Sequence, residues 1–172
     1  MRIDPTFSDE NWISINSSIP GTDGIVYAAV VDASGNLYIG GGFTIVGDFF
    51  ASHIAKWDGN IWSALGSGMD GAVYAMSLSG SNLYAGGSFT QAGGSPVNRI
   101  AKWNGTTWSA VGTGMNGEVR ALTVSGSNLY AGGGFTTAGS SAATNIAKWD
   151  GSSWSPLGSG MNNTVYALSV WG

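Results

Sequence analysis

Cysteine is absent from this sequence, His53 is its one histidine, and charged residues make up only 9% of it. Each shortage removes chemistry. Without thiols there is no disulfide framework, no Cys-ligated zinc, no iron–sulfur cluster and no thiol nucleophile, and a single imidazole leaves no room for a His-rich metal site or a Ser-His-Asp triad. Globular domains usually carry about a quarter charged residues. The expected surface is therefore Ser, Thr, Asn and Gly, which suits an extracellular or cell-surface setting. Six basic residues against ten acidic ones form no positive stripe, so neither nucleic acid nor an anionic membrane is an expected partner. No stretch approaches the roughly 18 apolar residues of a membrane span, and residues 1–16 lack the basic and apolar regions of a secretory signal.

What the sequence has in excess is glycine, 29 residues, and tryptophan, eight, and both recur at a fixed interval. Phe43, Phe89 and Phe135 are 46 residues apart, as are Trp57, Trp103 and Trp149, then Trp62, Trp108 and Trp154, and Met69, Met115 and Met161. Residues 71–116 laid on 117–162 without a gap are identical at 28 of 46 positions. Such self-similarity is the signature of a duplicated structural unit. Residues 24–70 form a third copy with one extra residue.

Each unit holds four short apolar stretches separated by turn chemistry, none with helical periodicity. In the middle unit these are Val73 to Leu78, Leu83 to Gly87, Ile100 to Trp103 and Trp108 to Val111. Asn104-Gly105 and its counterparts Asp58-Gly59 and Asp150-Gly151 predict tight hairpins of the type that needs positive φ at both central residues. Each unit thus reads as a four-stranded antiparallel meander. A lone meander apolar on both faces must stack on copies of itself, and radial stacking gives a β-propeller. The fold expected is all-β, a partial β-propeller of four-stranded antiparallel blades with a 46-residue repeat. Gly86-Gly87 marks close backbone approach near the axis, and Trp103 and Trp108 fill the wider outer wedge between blades.

The motifs Leu129-Tyr130-Ala131-Gly132-Gly133-Gly134-Phe135-Thr136, Asn145-Ile146-Ala147-Lys148-Trp149-Asp150-Gly151 and Trp154 resemble kelch-type blades. They are most similar to the kelch-like repeats of the bacterial delta-60 family and the fungal cortical polarity marker, over essentially residues 24–170. The resemblance implies a propeller fold and a bacterial or phage surface origin. It does not fix a function, because such propellers serve as binding platforms, enzyme scaffolds and adhesion modules. A copper radical oxidase would need a Cys-Tyr crosslink, which is excluded. A sialidase would need an arginine triad, and Arg2, Arg99 and Arg120 are the only arginines.

Three full blades, 24–70, 71–116 and 117–162, leave incomplete pieces at both ends. Residues 163–172 match a first strand, and residues 1–23 a partial blade in which 12–15 match a fourth strand and 3–7 a degenerate third. Known rings have about four to eight blades. The expectation is self-association, a homodimer whose terminal strands complete a ring of six or seven blades. A monomeric ring of four blades, one reduced, is the rival.

In a meander blade the loop between strands two and three lies on the same rim as the connection to the next blade. That loop is where the copies differ, and variation confined to one loop of a fixed frame suits a binding platform. It supplies Phe49, Phe50, His53 and Arg99 as candidate binding residues. His53, Arg99 and Asn145 share one position, read as exposed and polar. Glu118 and Arg120 replace Ala72 and Tyr74 of the preceding copy on the innermost strand; they are predicted to face the same side and pair, and are candidate binding residues for a small ligand at the central channel. Lys56, Lys102 and Lys148 recur beside a Trp and read as structural, as do Asp58, Asn104 and Asp150 in their turns. No catalytic, metal or cofactor set is present, so the function expected is a non-enzymatic binding or structural module. The alternative is a propeller that binds or cleaves glycans, using Phe49 and Phe50 with the carboxylates of Asp23, Asp48 and Asp70.

Overall fold

The computed structural model describes residues 21–170. The strands expected at 3–7 and 12–15 lie outside the described residues. All elements among the described residues are strands. Blade one is built from Val26–Val31, Leu37–Gly41, Ile54–Trp57 and Trp62–Ala64; blade two from Val73–Ser79, Asn82–Gly87, Ile100–Trp103 and Trp108–Ala110; blade three from Val119–Ser125, Asn128–Gly133, Ile146–Trp149 and Trp154–Pro156. In each the four strands pair in chain order and antiparallel. The register repeats as well: Leu37, Leu83 and Leu129 face Trp57, Trp103 and Trp149, which in turn face Trp62, Trp108 and Trp154. The paired indoles sit 5.3 to 5.4 Å apart and tilted, a favourable aromatic geometry.

The last hairpin of each blade is wider than expected. Only Gly59, Gly105 and Gly151 take positive φ there, near 100°, so the loop is not a two-residue type I′ turn. Instead Asp58 accepts the Asn60 and Ile61 N–H groups, Asn104 those of Thr106 and Thr107, and Asp150 those of Ser152 and Ser153. The side chain imitates a backbone acceptor and closes a four-residue loop.

A second feature was not expected. The loop between strands two and three carries a miniature hairpin in every blade: Ile45–Val46 with Phe49–Phe50, Gln91–Ala92 with Ser95–Pro96, and Thr137–Ala138 with Ser141–Ala142. Met69 and Met115, at the end of one blade, bridge to Ala92 and Ala138 in the hairpin of the next. Thr22 bridges to Val46 in the same way.

The core is divided between blades. One cluster joins Tyr38, Ile54, Leu65 and Met69 of blade one to Val73, Met76, Leu83, Phe89 and Trp108 of blade two, and a second repeats this between blades two and three. Two glycines per blade permit this spacing. A Cβ on Gly86 would stand 2.4 Å from Val119 Cγ1 of the next blade, with the same clash at Gly40 against Val73. A Cβ on Gly87 would stand 2.0 Å from the carbonyl oxygen of Ala72, just before its own first strand. The close approach predicted from the Gly-Gly pair is thus both within and between blades.

Residues 163–170 were expected as the first strand of an incomplete blade. They occupy the first-strand position of a further blade, with Val165 and Leu168 against Gly132 as Val119 and Leu122 lie against Gly86. Among the described residues they pair in no ladder, and a backbone bond from the Val165 N–H to the Gly133 carbonyl ties them to blade three. A strand exists only with a hydrogen-bonded neighbour, and none is present among the described residues.

Candidate functional site

The rim carrying the miniature hairpins is held by three equivalent residues. Asp23 accepts hydrogen bonds from the N–H groups of Thr44 and Ile45 and from the Thr44 hydroxyl, at 2.7 to 2.9 Å. Asp70 does the same for Thr90 and Gln91; Asn116 accepts the N–H groups of Thr136 and Thr137 through Oδ1, and its Nδ2 donates to the Thr136 hydroxyl. The Ile45 and Thr44 donors hold the Asp23 carboxyl below the usual carboxylate range. At Asp70 desolvation pushes upward, but the bonds from Thr90 and Gln91 together outweigh it and the carboxyl is again lowered. Both side chains are latches between a blade's entry and its rim hairpin. A carboxyl meant to donate a proton to a glycosidic oxygen needs its affinity for protons raised, the opposite of what these contacts do. Asp48 sits apart, exposed in the turn of the first rim hairpin.

Phe49 and Phe50 form the second strand of that hairpin and are 46% and 84% exposed. The packing position is taken by Ala51, which is buried. His53, Arg99 and Asn145 share an unforeseen property: their φ values are 66°, 64° and 63°. Each sends its N–H back to the preceding Phe43, Phe89 or Phe135 carbonyl, while its own carbonyl receives the N–H of Gly41, Gly87 or Gly133. They are half-buried rather than exposed. Their differing side chains conceal one backbone role, the left-handed step that leads into strand three.

Glu118 and Arg120 pair, and Arg120 belongs to a longer arrangement. Each first strand has a bulge, between Val26 and Ala28, Val73 and Ala75, and Val119 and Ala121. The bulged residues are Tyr27, Tyr74 and Arg120, and Tyr166 is their counterpart in the last segment. Tyr27 meets Tyr74 edge-on at 5.3 Å, and the Arg120 guanidinium lies 4.8 Å above the Tyr74 ring and 5.5 Å from that of Tyr166. A bulge re-aims one side chain, so these four residues form a ladder across successive blades. The three tyrosines escaped the sequence reading, although each stands one residue after a Val at the same point of the repeat. Among the described residues no three His, Asp or Glu side chains converge as a metal site. Among the described residues no helix is long and apolar enough to cross a membrane.

The geometry leaves a repeat scaffold with two candidate contact regions, the rim and the bulge ladder. Comparisons with known proteins agree on the scaffold. No curated protein matches the chain. Among solved structures, the computationally designed Ika8 protein superimposes with a TM-score of 0.57 at 16% identity, covering 90% of this chain and 42% of that one. At that identity the likeness concerns the fold alone, and this chain spans less than half of the designed protein's length. The family model for the Rax2 C-terminal beta propeller domain matches residues 13–171, nearly the entire sequence and all three blades. The match assigns no source organism. The chain belongs to the Rax2 C-terminal beta-propeller family, a kelch-like propeller domain of tandem 46-residue blades.

Proposed function

We propose that this chain is a non-enzymatic binding and structural module whose blades associate with further blades of the same kind, a second copy of the chain completing the ring. The observation that carries the reading is the seating of Val165 and Leu168 on Gly132, the contact made at every blade junction, on a segment without a paired strand among the described residues. At the opposite end, Ile25 and, on the first strand of blade one, Val26, Tyr27 and Val31 are 41 to 63% exposed. Two apolar blade faces of one architecture bury one another with the least new design, since each already fits a copy of the other. The low charge of the surface supports a setting outside the cell or on its surface, where a protein or glycan would be the further partner.

Sedimentation equilibrium of the full chain tests this. A dimer that persists at micromolar concentration and becomes monomeric on Val165→Asp is the expected result. A monomer across the accessible concentration range overturns it.

A second reading has one observation in its favour. Phe50 stands 84% exposed on the one rim hairpin among the described residues that carries aromatic residues, as a stacking platform for a sugar ring requires. A glycan array on the wild type and Phe50→Ser distinguishes it, because loss of a specific signal in the variant is expected only if Phe50 binds.

A further inference from the structure

Between blades two and three the rim opens into a groove of about 470 Å³. Arg99 and Asn98 line one side, Thr113, Met115 and Asn116 the connecting segment, and Thr137 the rim hairpin of blade three. None of the lining residues is acidic. The corresponding junction between blades one and two has Asp70 where this one has Asn116, and His53 where this one has Arg99. The latch is thus uncharged at the one junction where the left-handed position carries a permanent cation.

Arg99 differs from its two counterparts in a second way. The His53 ring lies 3.2 Å from the Gly41 carbonyl, and the Asn145 amide donates to the Met161 carbonyl at 2.8 Å. The Arg99 guanidinium makes neither an ion pair nor a hydrogen bond among the described residues, although the residue is half-buried. Its φ of 64° belongs to the scaffold, shared with His53 and Asn145, so the side chain is the variable part of the position.

We propose that this groove binds an acidic saccharide, with Arg99 as the partner of its carboxylate. A guanidinium presents two parallel donors to a carboxylate, a geometry that Lys or Asn does not reproduce. The Thr113 and Thr137 hydroxyls line the groove, and Asn98, whose Nδ2 donates to the Thr113 carbonyl at 2.8 Å, leaves its amide oxygen for a sugar hydroxyl. The open, mostly polar shape fits a hydrated ligand better than an apolar one. The inference is independent of ring completion, because the groove lies inside one chain.

The test is titration calorimetry of the full chain with tri-galacturonate, against neutral galactotriose, triglutamate and sulfate. The variants are Arg99→Asn and Asn116→Asp, each installing the residue that another blade already carries at that position, so both retain the fold. Tri-galacturonate is expected to bind at least tenfold more tightly than galactotriose, to weaken with added salt, and to lose at least tenfold in either variant without a fall in melting temperature. Equal binding of galactotriose, triglutamate or sulfate overturns the assignment, as does an affinity unchanged by Arg99→Asn. Sedimentation of the same variants reports ring completion separately, so failure of one reading is distinguishable from failure of the other.

Discussion

The indole N–H of Trp108 donates to the carbonyl of Leu65 in the preceding blade at 2.8 Å, and both residues are buried. Trp154 repeats the contact with Val111 at 2.9 Å. The bond fastens the fourth strand of one blade to the end of the blade before it. Trp108→Phe keeps most of the apolar area but leaves a buried carbonyl without its donor. Urea unfolding is expected to show a loss of about 1–3 kcal/mol. Trp103→Phe, at the half-buried partner without such a bond, should cost less.

Gly86 and Val119 are coupled across the second junction. Gly86→Ala forces a methyl group to within 2.4 Å of Val119 Cγ1, and overpacking of this kind costs about 1–3 kcal/mol. Val119→Ala alone leaves a cavity. In the double variant the two defects compensate, so a double-mutant cycle from denaturation midpoints should give a favourable interaction energy of at least about 0.5 kcal/mol.

Asp70 makes stability depend on acid. Its folded carboxyl lies below the ordinary value of 3.8, so its contribution is complete above that value and disappears as pH falls through the folded one. Asp70→Asn reproduces the latch of blade three, where the Asn116 amide donates to the Thr136 hydroxyl at 2.8 Å. The variant should melt near the wild type at pH 7 and lose less on acidification from pH 4 to pH 2. Identical acid limbs would show that the latch charge is energetically silent.

Arg120 sits in a tyrosine position, half-exposed like its partner Glu118. Exposed ion pairs and cation–π contacts each contribute about 1 kcal/mol or less. Arg120→Tyr should therefore fold with a stability within about 1 kcal/mol of the wild type. Tyrosine fluorescence, quenched by the neighbouring rings, would report that the ladder is rebuilt.

The four-stranded meanders were legible because their long-range partners announce themselves: Leu83, Trp103 and Trp108 repeat at one interval and end up side by side in one register. The Gly-Gly pair was legible because only close approach explains it. The rim hairpins were not, since strands as short as Gln91–Ala92 show no alternation. Asp23 and Asp70 drew attention as carboxylates, but their role emerges only with Asn116 in the same place and a Phe-Thr pair some twenty residues onward. A charged candidate was a latch that an amide can replace. His53, Arg99 and Asn145 share a φ value that their chemistry hides, because the requirement lies in the main chain. The last segment could be named from Val165 and Leu168, but its pairing could not, because a ladder depends on a neighbour that those residues do not encode.

The notch made by Gly40, Gly86 and Gly132 receives Val73, Val119 and Val165 in turn, and a Cβ at each would meet the valine at 2.4 to 2.5 Å. Because the socket and plug are alike at every joint, no joint records its own place in the series. Copying or excising one whole unit by unequal recombination would create no unfamiliar seam, so array length can drift by whole blades during inheritance while the local architecture stays intact.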